Sequence, residues 1–348
     1  MTILRSLSEA AELGFGKYFC PTMLLSRYRD GAWSPLETVP YAPLGLEPAS
    51  KVFHYAQEIF EGLKVFRQPD GGLALFRPEE NVRRMSRSAE ILALPAFPEA
   101  EFLRGLDRYS RELEAFVPQD PGALYLRPTM LGTSPTLGVS AAKEAVFFVC
   151  ASPVGGYFGS LKSDKPAGVS IWITPDHVRA VRGGLGAAKC GANYAASLRA
   201  VSEAKRLGFD NVLFLDAIER RYFEELSGMN VFVVEGTTLR TPPLGDTILD
   251  GITRKSIFEV ARSLGYKVEE SPVAIDDVER KLGSGQLGEV FACGTGASVT
   301  AVTSLGWKGQ KLRVGEGQPG PVTTAIYRAL LDIQYGRKEA PKGWLRPV

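Results

Sequence analysis

The sequence predicts two domains of mixed α/β structure. Its 348 residues exceed what one hydrophobic core usually organises, and the composition, 45% hydrophobic and 23% charged, is that of an ordinary globular protein. Short hydrophobic runs typical of strands alternate with amphipathic patterns typical of helices. A stretch rich in Gly, Ser, Pro and Lys at 152–168 interrupts this alternation. We therefore predict an N-terminal domain at 1–154, a linker at 155–167 and a larger C-terminal domain at 168–348, which contains Lys189.

The elements follow in order along the chain. Strands are predicted at GGLALF (71–76), ALYLRPTMLG (123–132), EAVFFVCAS (144–152), VSIWIT (169–174), NVLFLD (211–216) and NVFVVEG (230–236), and another strand ends at GTGAS (294–298). Helices are predicted at 78–92, 195–207 and 253–265. The sequence shows no internal repeat that would point to a solenoid.

For two of these helices the sequence predicts which residues share one face. In the first, Val82, Met85, Ala89 and Leu92 recur at helical spacing and predict the buried stripe, with Arg84 pointing away from it. In the second, one face combines Tyr194, Leu198, Val201 and Ala204.

Charge and cysteine content exclude several classes of protein. A net charge of +2 gives no basis for a nucleic-acid or membrane-surface partner. Four distant cysteines (Cys20, Cys150, Cys190, Cys293) without a CxxC pattern are typical of reduced thiols. The N-terminal residues lack a signal-peptide core, and the longest hydrophobic runs have the length of strands. We expect a cytoplasmic enzyme.

The chain contains few histidines that could act in catalysis or bind a metal. His54 and His177 are the only histidines, and neither lies in a GxSxG or HExxH pattern. No metal site is predicted, and a lysine, a carboxylate or a tyrosine is the expected proton carrier.

Lys189 lies in the glycine-rich stretch GGLGAAKCGANYAASL (183–198). A solvated loop lysine is one interpretation, since most lysines are exposed. A phosphate-binding GxxxxGK[ST] loop fails because Ala188 and Cys190 replace its glycine and its hydroxyl, and no GxGxxG pattern survives either. The third interpretation is a lysine that forms a Schiff base, because Gly, Ala and Cys neighbours supply no anion to hold its charged form.

A Schiff-base cofactor with a pyridine ring and a phosphate needs further groups, and the chain offers candidates for each. GTGAS and the predicted helix start in LDGITRKSI (249–257) can direct backbone amides at an anion. EELSGMN (224–230) supplies carboxylates for a pyridine nitrogen, and Tyr194 follows the lysine by five positions. Each of these also has an ordinary structural explanation when taken alone.

Six ordered segments resemble one family. YAQEIFEGLKVFR (55–67), YLRPTMLG (125–132), KCGANYAASL (189–198), EELSGMN, LDGITRKSI and CGTGA (293–297) are similar to segments of branched-chain amino acid aminotransferases. The resemblance implies the class IV, D-alanine aminotransferase-like fold, the cofactor pyridoxal 5′-phosphate (PLP) and a homodimer with a shared active site. It also implies transfer of the amino group of leucine, isoleucine or valine to 2-oxoglutarate, giving branched 2-oxo acids and L-glutamate.

The resemblance assigns cofactor roles to individual residues. Lys189 holds PLP as a Schiff base and moves the proton at the substrate Cα, Glu225 faces the pyridine nitrogen, and Tyr194 bonds the ring oxygen. Glu224 alternates to the other face of its strand and is only structural. The remaining cofactor residues are Arg84, the weaker candidate Arg179, Ile252, Thr253 and Thr295 for the phosphate, and Leu249 for the ring.

Substrate roles follow in the same way. Amides of Thr295 and Gly296 hold the α-carboxylate, and Arg127 with nearby Tyr125 receives the second carboxylate of glutamate. The implied side-chain pocket consists of Tyr55, Phe60, Tyr125, Leu137, Val139 and Tyr157, with Leu137 and Val139 supplied by the second subunit.

Two departures from the family pattern affect detail. Ser227 and Gly228 stand where many relatives have Gly-Thr, which bears on fine substrate preference. Ala297 and Thr300 occupy the places of a CxxC found in some relatives, so no thiol redox switch is expected.

Two other functions remain possible from sequence. A D-amino acid aminotransferase or an aminodeoxychorismate lyase shares the fold and the lysine but lacks the YLRP and YAQEIFEG segments. A nucleotide-binding protein that uses the glycine-rich loop belongs to a different class.

Overall fold

A computed structural model describes residues 2–10, 12–155 and 165–348. The chain divides into two compact units. The first unit comprises 1–162, 188–191 and 332–348, and the second comprises 163–187 and 192–331. The segment with Lys189 therefore belongs to the first unit, which differs from its predicted place in a C-terminal domain.

Seven α-helices lie in the described residues. They are α1 (Lys51–Tyr55), α2 (Pro78–Ile91), α3 (Glu99–Glu112), α4 (Gly191–Arg206), α5 (Ile252–Ser263), α6 (Ile275–Gly283) and α7 (Pro321–Gln334). Two short 3₁₀ helices lie at Leu7–Glu9 and Glu114–Phe116. In the described part of the chain, no helix combines the length and the apolar character needed to cross a bilayer.

The strands are β1 (Thr2–Ile3), β2 (Tyr18–Phe19), β3 (Thr22–Arg29), β4 (Ala32–Trp33), β5 (Glu37–Pro40), β6 (Glu58–Phe60), β7 (Leu63–Arg67), β8 (Leu73–Phe76), β9 (Ala123–Gly132), β10 (Ala145–Val154), β11 (Gly168–Ile173), β12 (Asn211–Leu215), β13 (Phe223–Leu226), β14 (Asn230–Glu235), β15 (Thr238–Thr241), β16 (Lys267–Glu270), β17 (Glu289–Gly294), β18 (Ser298–Trp307), β19 (Gln310–Arg313) and β20 (Leu345–Pro347).

The first unit is built on an antiparallel sheet of nine strands. Its order is β20-β8-β7-β9-β10-β3-β4, with β5 paired to β3 and β6 paired to β9. The long strands β9 and β10 run antiparallel with Tyr125 opposite Ser152 and Arg127 opposite Cys150. Residues two positions apart on a strand lie on the same face of a sheet, so Tyr125 and Arg127 are neighbours on one face.

The second unit is built on a mixed sheet of nine strands. Its order is β13-β12-β11-β18-β17-β14-β15-β16, with β19 paired to β18. Strand β11 runs parallel to both β12 and β18. Helix α4 packs Ala200 and Ala204 against Val212 and Phe214 of β12. Both units are thus mixtures of strands and helices, which confirms the predicted fold class.

Helix α2 shows both the success and the limit of periodicity. Val82, Met85 and Ala89 are buried as predicted. Arg84 lies off that stripe but is only 4% exposed, so it is not a solvated arginine.

The face predicted for α4 is confirmed at Ala204, which is buried, and at Val201, which packs against the same core, but not at Leu198. Leu198 is 62% exposed, whereas the buried positions are Asn193, Ser197, Ala200 and Ala204. The error arises because small and polar residues form the buried side of this helix, and a hydrophobic pattern cannot detect them.

Candidate active site

The backbone of Lys189 is fixed inside the first unit. Its N–H donates to Ser88 Oγ over 3.0 Å, and its carbonyl accepts the N–H of Phe60 over 3.0 Å. An antiparallel bridge between Ile59 and Cys190 extends this contact to β6. The stretch around Lys189 therefore behaves like an added edge strand, which holds the Cα of the lysine in one place.

A close approach explains one glycine of this stretch. Glu58 accepts the N–H of Gly191, and an added Cβ on Gly191 would lie 1.7 Å from Glu58 Oε1. Burial raises the pKa of Glu58, although that N–H and Arg127 act in the opposite direction. A side chain at position 191 would force this carboxyl group to move, so the glycine lets Glu58 pack against the backbone beside Lys189.

Four side chains gather near Lys189, and we call Phe60, Glu61, Arg84, Arg127 and Lys189 together the Lys189 cluster. Lys189 Nζ lies 4.8 Å from the centroid of the Phe60 ring, and Arg127 Cζ lies 4.6 Å from it. Both contacts have the geometry of a cation–π interaction.

The cluster contains a buried ion pair between Arg84 and Glu61. Arg84 donates from Nε to Glu61 Oε1 over 2.7 Å and from Nη2 to Glu61 Oε2 over 2.8 Å. Asn81 Nδ2 also donates to Glu61 Oε2. Burial alone would raise the pKa of Glu61, but Arg84, Lys189 and Asn81 together lower it. Glu61 is therefore a carboxylate, and its charge acts on Lys189 as well as on Arg84.

The predicted residues of β9 are adjacent. Arg127 donates from Nε and Nη2 to Tyr125 Oη over 3.1 and 2.8 Å. Lys64 of β7 lies opposite Tyr125 in the sheet, and burial lowers its pKa to about 8. This face of the sheet therefore carries two cationic side chains beside a phenol, which suits an anionic group.

Four predicted pocket residues are not part of the Lys189 cluster. Tyr55 is 40% exposed and donates through Oη to the carbonyl of Leu137. Leu137 and Val139 are 63% and 85% exposed. Tyr157 lies outside the described residues.

The second unit holds a separate group, Arg179, Glu225, Asn230 and Leu249, which we call the Glu225 cluster. Arg179 Nη2 lies 2.5 Å from Glu225 Oε1, and both side chains are about 5% exposed or less. The N–H of Leu249 donates to Glu225 Oε1 over 3.3 Å, and Asn230 Nδ2 donates to Oε2 over 3.0 Å. Three donors thus fix the carboxylate of Glu225.

The predicted phosphate residues lie at the start of α5. Gly251 is the N-cap, no side chain caps the helix, and Ile252 and Thr253 are the first two helical residues. The first amides of a helix have no partner within the helix. A Cβ on Gly251 would lie 2.0 Å from Asn230 Oδ1, so this glycine allows the helix start to approach the Glu225 cluster.

The remaining predicted residues have clear places in the fold. Thr295 and Gly296 form the turn between β17 and β18. Tyr194 lies in the first turns of α4, and a Cβ on Gly228 would lie 3.2 Å from Tyr194 Cε1. The Gly228 departure from the family pattern thus falls beside the predicted ring-oxygen partner.

Sequence reasoning missed Glu61, Asn81 and Asn230. Glu61 and Asn230 stand inside the quoted family segments, but their roles as partners of Arg84 and Glu225 depend on packing between distant parts of the chain. A buried arginine without an assigned anion is the one signal that could have prompted a search for them.

Comparison with known proteins identifies the family. The model of the family described as class IV amino-transferase matches residues 58–305, well over half of the chain. The chain belongs to the class IV aminotransferases. It is 47% identical over 342 residues to a probable branched-chain-amino-acid aminotransferase of Streptomyces coelicolor, covering 97% of this chain and 93% of that protein. It is 43% identical over 338 residues to branched-chain-amino-acid transaminase 1 of Bacillus subtilis, covering 97% and 94% of the two chains.

Solved structures of this aminotransferase family share the fold. The branched-chain amino acid aminotransferase of Escherichia coli is 29% identical and superposes with a TM-score of 0.74, covering 92% of this chain and 98% of that one. The branched-chain aminotransferase of the thermophilic archaeon Thermoproteus uzoniensis, solved with norvaline, is 25% identical with a TM-score of 0.77, covering 94% and 99%.

The buried ion pair of the Lys189 cluster gives a stability prediction. We expect Glu61→Gln to lower the free energy of unfolding by about 3–5 kcal/mol, because it leaves the Arg84 guanidinium buried without its anion. Chemical denaturation measures this loss. Glu80→Gln is the matched control, since its partner Arg83 is 53% exposed and we expect a loss of about 1 kcal/mol or less from this surface pair.

The pH dependence of the same variant has a defined sign. The pKa of Glu61 is lowered on folding, so its contribution is complete above the unfolded value of 4.5 and is lost as the pH falls through the folded value. The difference between wild type and Glu61→Gln should therefore shrink in acid. A difference that grows in acid, or a loss no greater than that of Glu80→Gln, contradicts the assignment.

Proposed function

We propose that the protein transfers the amino group of leucine, isoleucine or valine to 2-oxoglutarate, with PLP as cofactor, and so produces branched 2-oxo acids and L-glutamate. The observation that carries this proposal is 47% identity over 97% of the chain to a probable branched-chain-amino-acid aminotransferase. The buried clusters around Lys189 and Glu225 supply the chemical groups that this reaction needs.

The groups present fit PLP. Uncapped amides begin the 12-residue helix α5 and suit a phosphate. The buried, triply held carboxylate of Glu225 suits a protonated pyridine nitrogen, and a lysine with a fixed backbone suits an aldehyde. When bound, PLP supplies a carbonyl carbon that takes up the amino group and a ring that accepts electrons.

Lys189 has two roles in the proposal. Its Nζ would hold the cofactor, and the same amine would carry the proton from and to the substrate Cα. Two backbone hydrogen bonds to Ser88 and Phe60 limit the movement of this lysine to its own side chain. The Phe60 ring beside Nζ keeps water from one side of the amine.

Glu225 keeps a proton on the pyridine nitrogen. Because Arg179, Asn230 and Leu249 already stabilise it as a carboxylate, it attracts that proton without giving up its own charge. Tyr194 would donate to the ring oxygen, and Leu249 would contact the ring. The phosphate is held by amides of Ile252 and Thr253, the Thr295 hydroxyl and Arg84, with Arg179 as a weaker contributor.

The branched-chain and the glutamate side chains would both be recognised at the face of the sheet that carries Tyr125 and Arg127 of β9. In this proposal Tyr55, Phe60, Tyr125 and Tyr157 would receive the branched side chain together with Leu137 and Val139 of a second copy of the chain, at about 0.8 kcal/mol per buried methylene. Arg127 receives the second carboxylate of glutamate, and amides of Thr295 and Gly296 hold the α-carboxylate. Arg127 already lies against the Tyr125 hydroxyl and the Phe60 ring.

A homodimer and a cytoplasmic location belong to the same proposal. Phe53, Tyr55, Leu137 and Val139 are large apolar residues of the first unit that are 40–85% exposed. Lys51 is 1% exposed and anchors the loop of Leu137 and Val139 through the Gly138 carbonyl and Ser140 Oγ. An apolar surface held in this way favours contact with a second copy. The four buried free cysteines suit a reducing compartment.

The first test concerns Lys189 and the amino donor. We expect rapid turnover of leucine with 2-oxoglutarate, and borohydride reduction should attach the cofactor to the Lys189 peptide, as read by mass spectrometry. Lys189→Ala should lower kcat about a thousandfold or more and abolish the label. Lys205→Ala on α4 is the control. Turnover of D-alanine without leucine would instead support a D-amino acid aminotransferase.

The second test concerns the Arg127 side chain. Arg127→Met should raise the KM for 2-oxoglutarate about 10–100-fold, because a charge-assisted hydrogen bond contributes about 1.5–3 kcal/mol. Exchange between leucine and a branched 2-oxo acid serves as the control reaction, since neither substrate carries a second carboxylate. Equal losses in both reactions would contradict this role for Arg127.

The third test concerns assembly. Val139→Asp should shift the protein from dimer toward monomer in size-exclusion chromatography with light scattering, because it places a charge on the exposed apolar surface. Ile218→Asp is the control, since Ile218 is also an exposed apolar residue, at 73%, and is part of the second unit. A dimer that persists in Val139→Asp at low concentration would argue against this interface.

A further inference from the structure

The charge of Arg179 acts on two adjacent buried carboxyl groups of β13, and its guanidinium is in direct contact with Glu225. Glu224 and Glu225 are 6% and 4% exposed. Arg179 Nη2 lies 2.5 Å from Glu225 Oε1, and the charge of Arg179 also acts on Glu224. Two buried carboxylates beside one cation cannot both ionise cheaply, because their mutual repulsion adds to the loss of hydration.

The hydrogen-bond donors are divided unequally between the two groups. Glu225 accepts from Asn230 Nδ2 and from the N–H of Leu249 in addition to its ion pair with Arg179. Glu224 accepts from the Thr247 side chain, and its Oε2 atom has no hydrogen-bond partner within the described residues. Because donors stabilise the ionised form of a buried carboxyl group, this division favours the carboxylate at Glu225 and the neutral acid at Glu224.

The surrounding charges agree with this division. Burial is the main cause that raises the pKa of Glu224 to about 7, and Glu225 and Asp216 raise it further, against the Thr247 hydrogen bond and Arg179. Arg179, Glu225 and Asp216 are the charged groups that act on Glu224. Thr247 connects the groups, because its carbonyl accepts from Arg179 Nη2 while its side chain bonds Glu224.

We infer that Glu224 is a positioning residue: in its neutral form it leaves the Arg179 guanidinium to Glu225, and its ionisation draws that guanidinium away. The part of the inference that concerns the cofactor rests on the proposed function, in which Glu225 faces the pyridine nitrogen. The neutral state of Glu224 and its competition for Arg179 do not depend on the reaction. The structure thus assigns a role to a residue that strand alternation suggested was only structural.

The first measurement is the pH dependence of Tm for the full-length protein. Folding raises the pKa of Glu224 from 4.5 toward 7, so the wild type loses stability as the pH rises through this window. Glu224→Gln cannot ionise, and its Tm relative to wild type should rise by about 5 °C between about pH 5 and pH 8.5. Glu219→Gln, an exposed neighbour with the same charge change, should run parallel to wild type. Parallel curves for Glu224→Gln would overturn the inference.

A second measurement does not need the variant to fold. The carboxyl carbons of wild-type protein labelled at glutamate should include one resonance that titrates near pH 7 in carbon-13 NMR. The absence of any glutamate that titrates in this range would overturn the inference.

The third measurement separates positioning from a purely structural role. In the PLP-loaded enzyme, the cofactor absorption of wild type and Glu219→Gln should change with a component near pH 7, and Glu224→Gln should lack it. An unchanged component in Glu224→Gln would overturn the positioning role. A protein that never binds PLP overturns the proposed function, and the Tm and NMR results then decide the inference alone.

Discussion

Burial of one arginine–glutamate pair in each unit is the constraint on which the functional residues depend. Glu61 is held by Arg84 in the first unit, and Glu225 is held by Arg179 in the second. A charge that loses its hydration is tolerated only where several donors meet it at good geometry. Each pair therefore requires fixed neighbours, which are Asn81 for Glu61 and Asn230 for Glu225. Both carboxylates are therefore held in fixed positions, from which they can act on the reacting groups.

The glycines near these carboxylates are explained by the space that they leave for neighbouring side chains rather than by backbone flexibility. A Cβ on Gly62 would lie 2.1 Å from Tyr125 Oη, just as Gly191 and Gly251 leave room for Glu58 and Asn230. In each case a polar side chain occupies the space where a side chain of the glycine would stand. The glycine-rich segments thus mark positions where polar groups pack against the backbone, in addition to any turn they form.

Much of the fold could be predicted because it depends on local pattern. The strand ALYLRPTMLG was predicted at 123–132 and β9 has those bounds, and the buried stripe of α2 followed from its periodicity. The buried face of α4 could be predicted only in part, because Asn193 and Ser197 are buried through packing that no hydrophobic pattern records. The partners of Arg84 and Arg179 were equally invisible, since Glu61 lies 23 positions from Arg84 and Glu225 lies still farther from Arg179 in sequence.

The placement of Lys189 shows why the site needed both kinds of information. Its type and its neighbours in the sequence suggested a reactive amine, and a family resemblance named the chemistry. Its backbone, however, belongs to the first unit, although the residues before and after 188–191 belong to the second. Long lysine side chains lose much conformational entropy when they are held in one place. The Lys189 N–H donates to Ser88 Oγ and its carbonyl accepts from the Phe60 N–H; these bonds avoid part of that cost, because they fix the Cα and leave the side chain able to carry a proton.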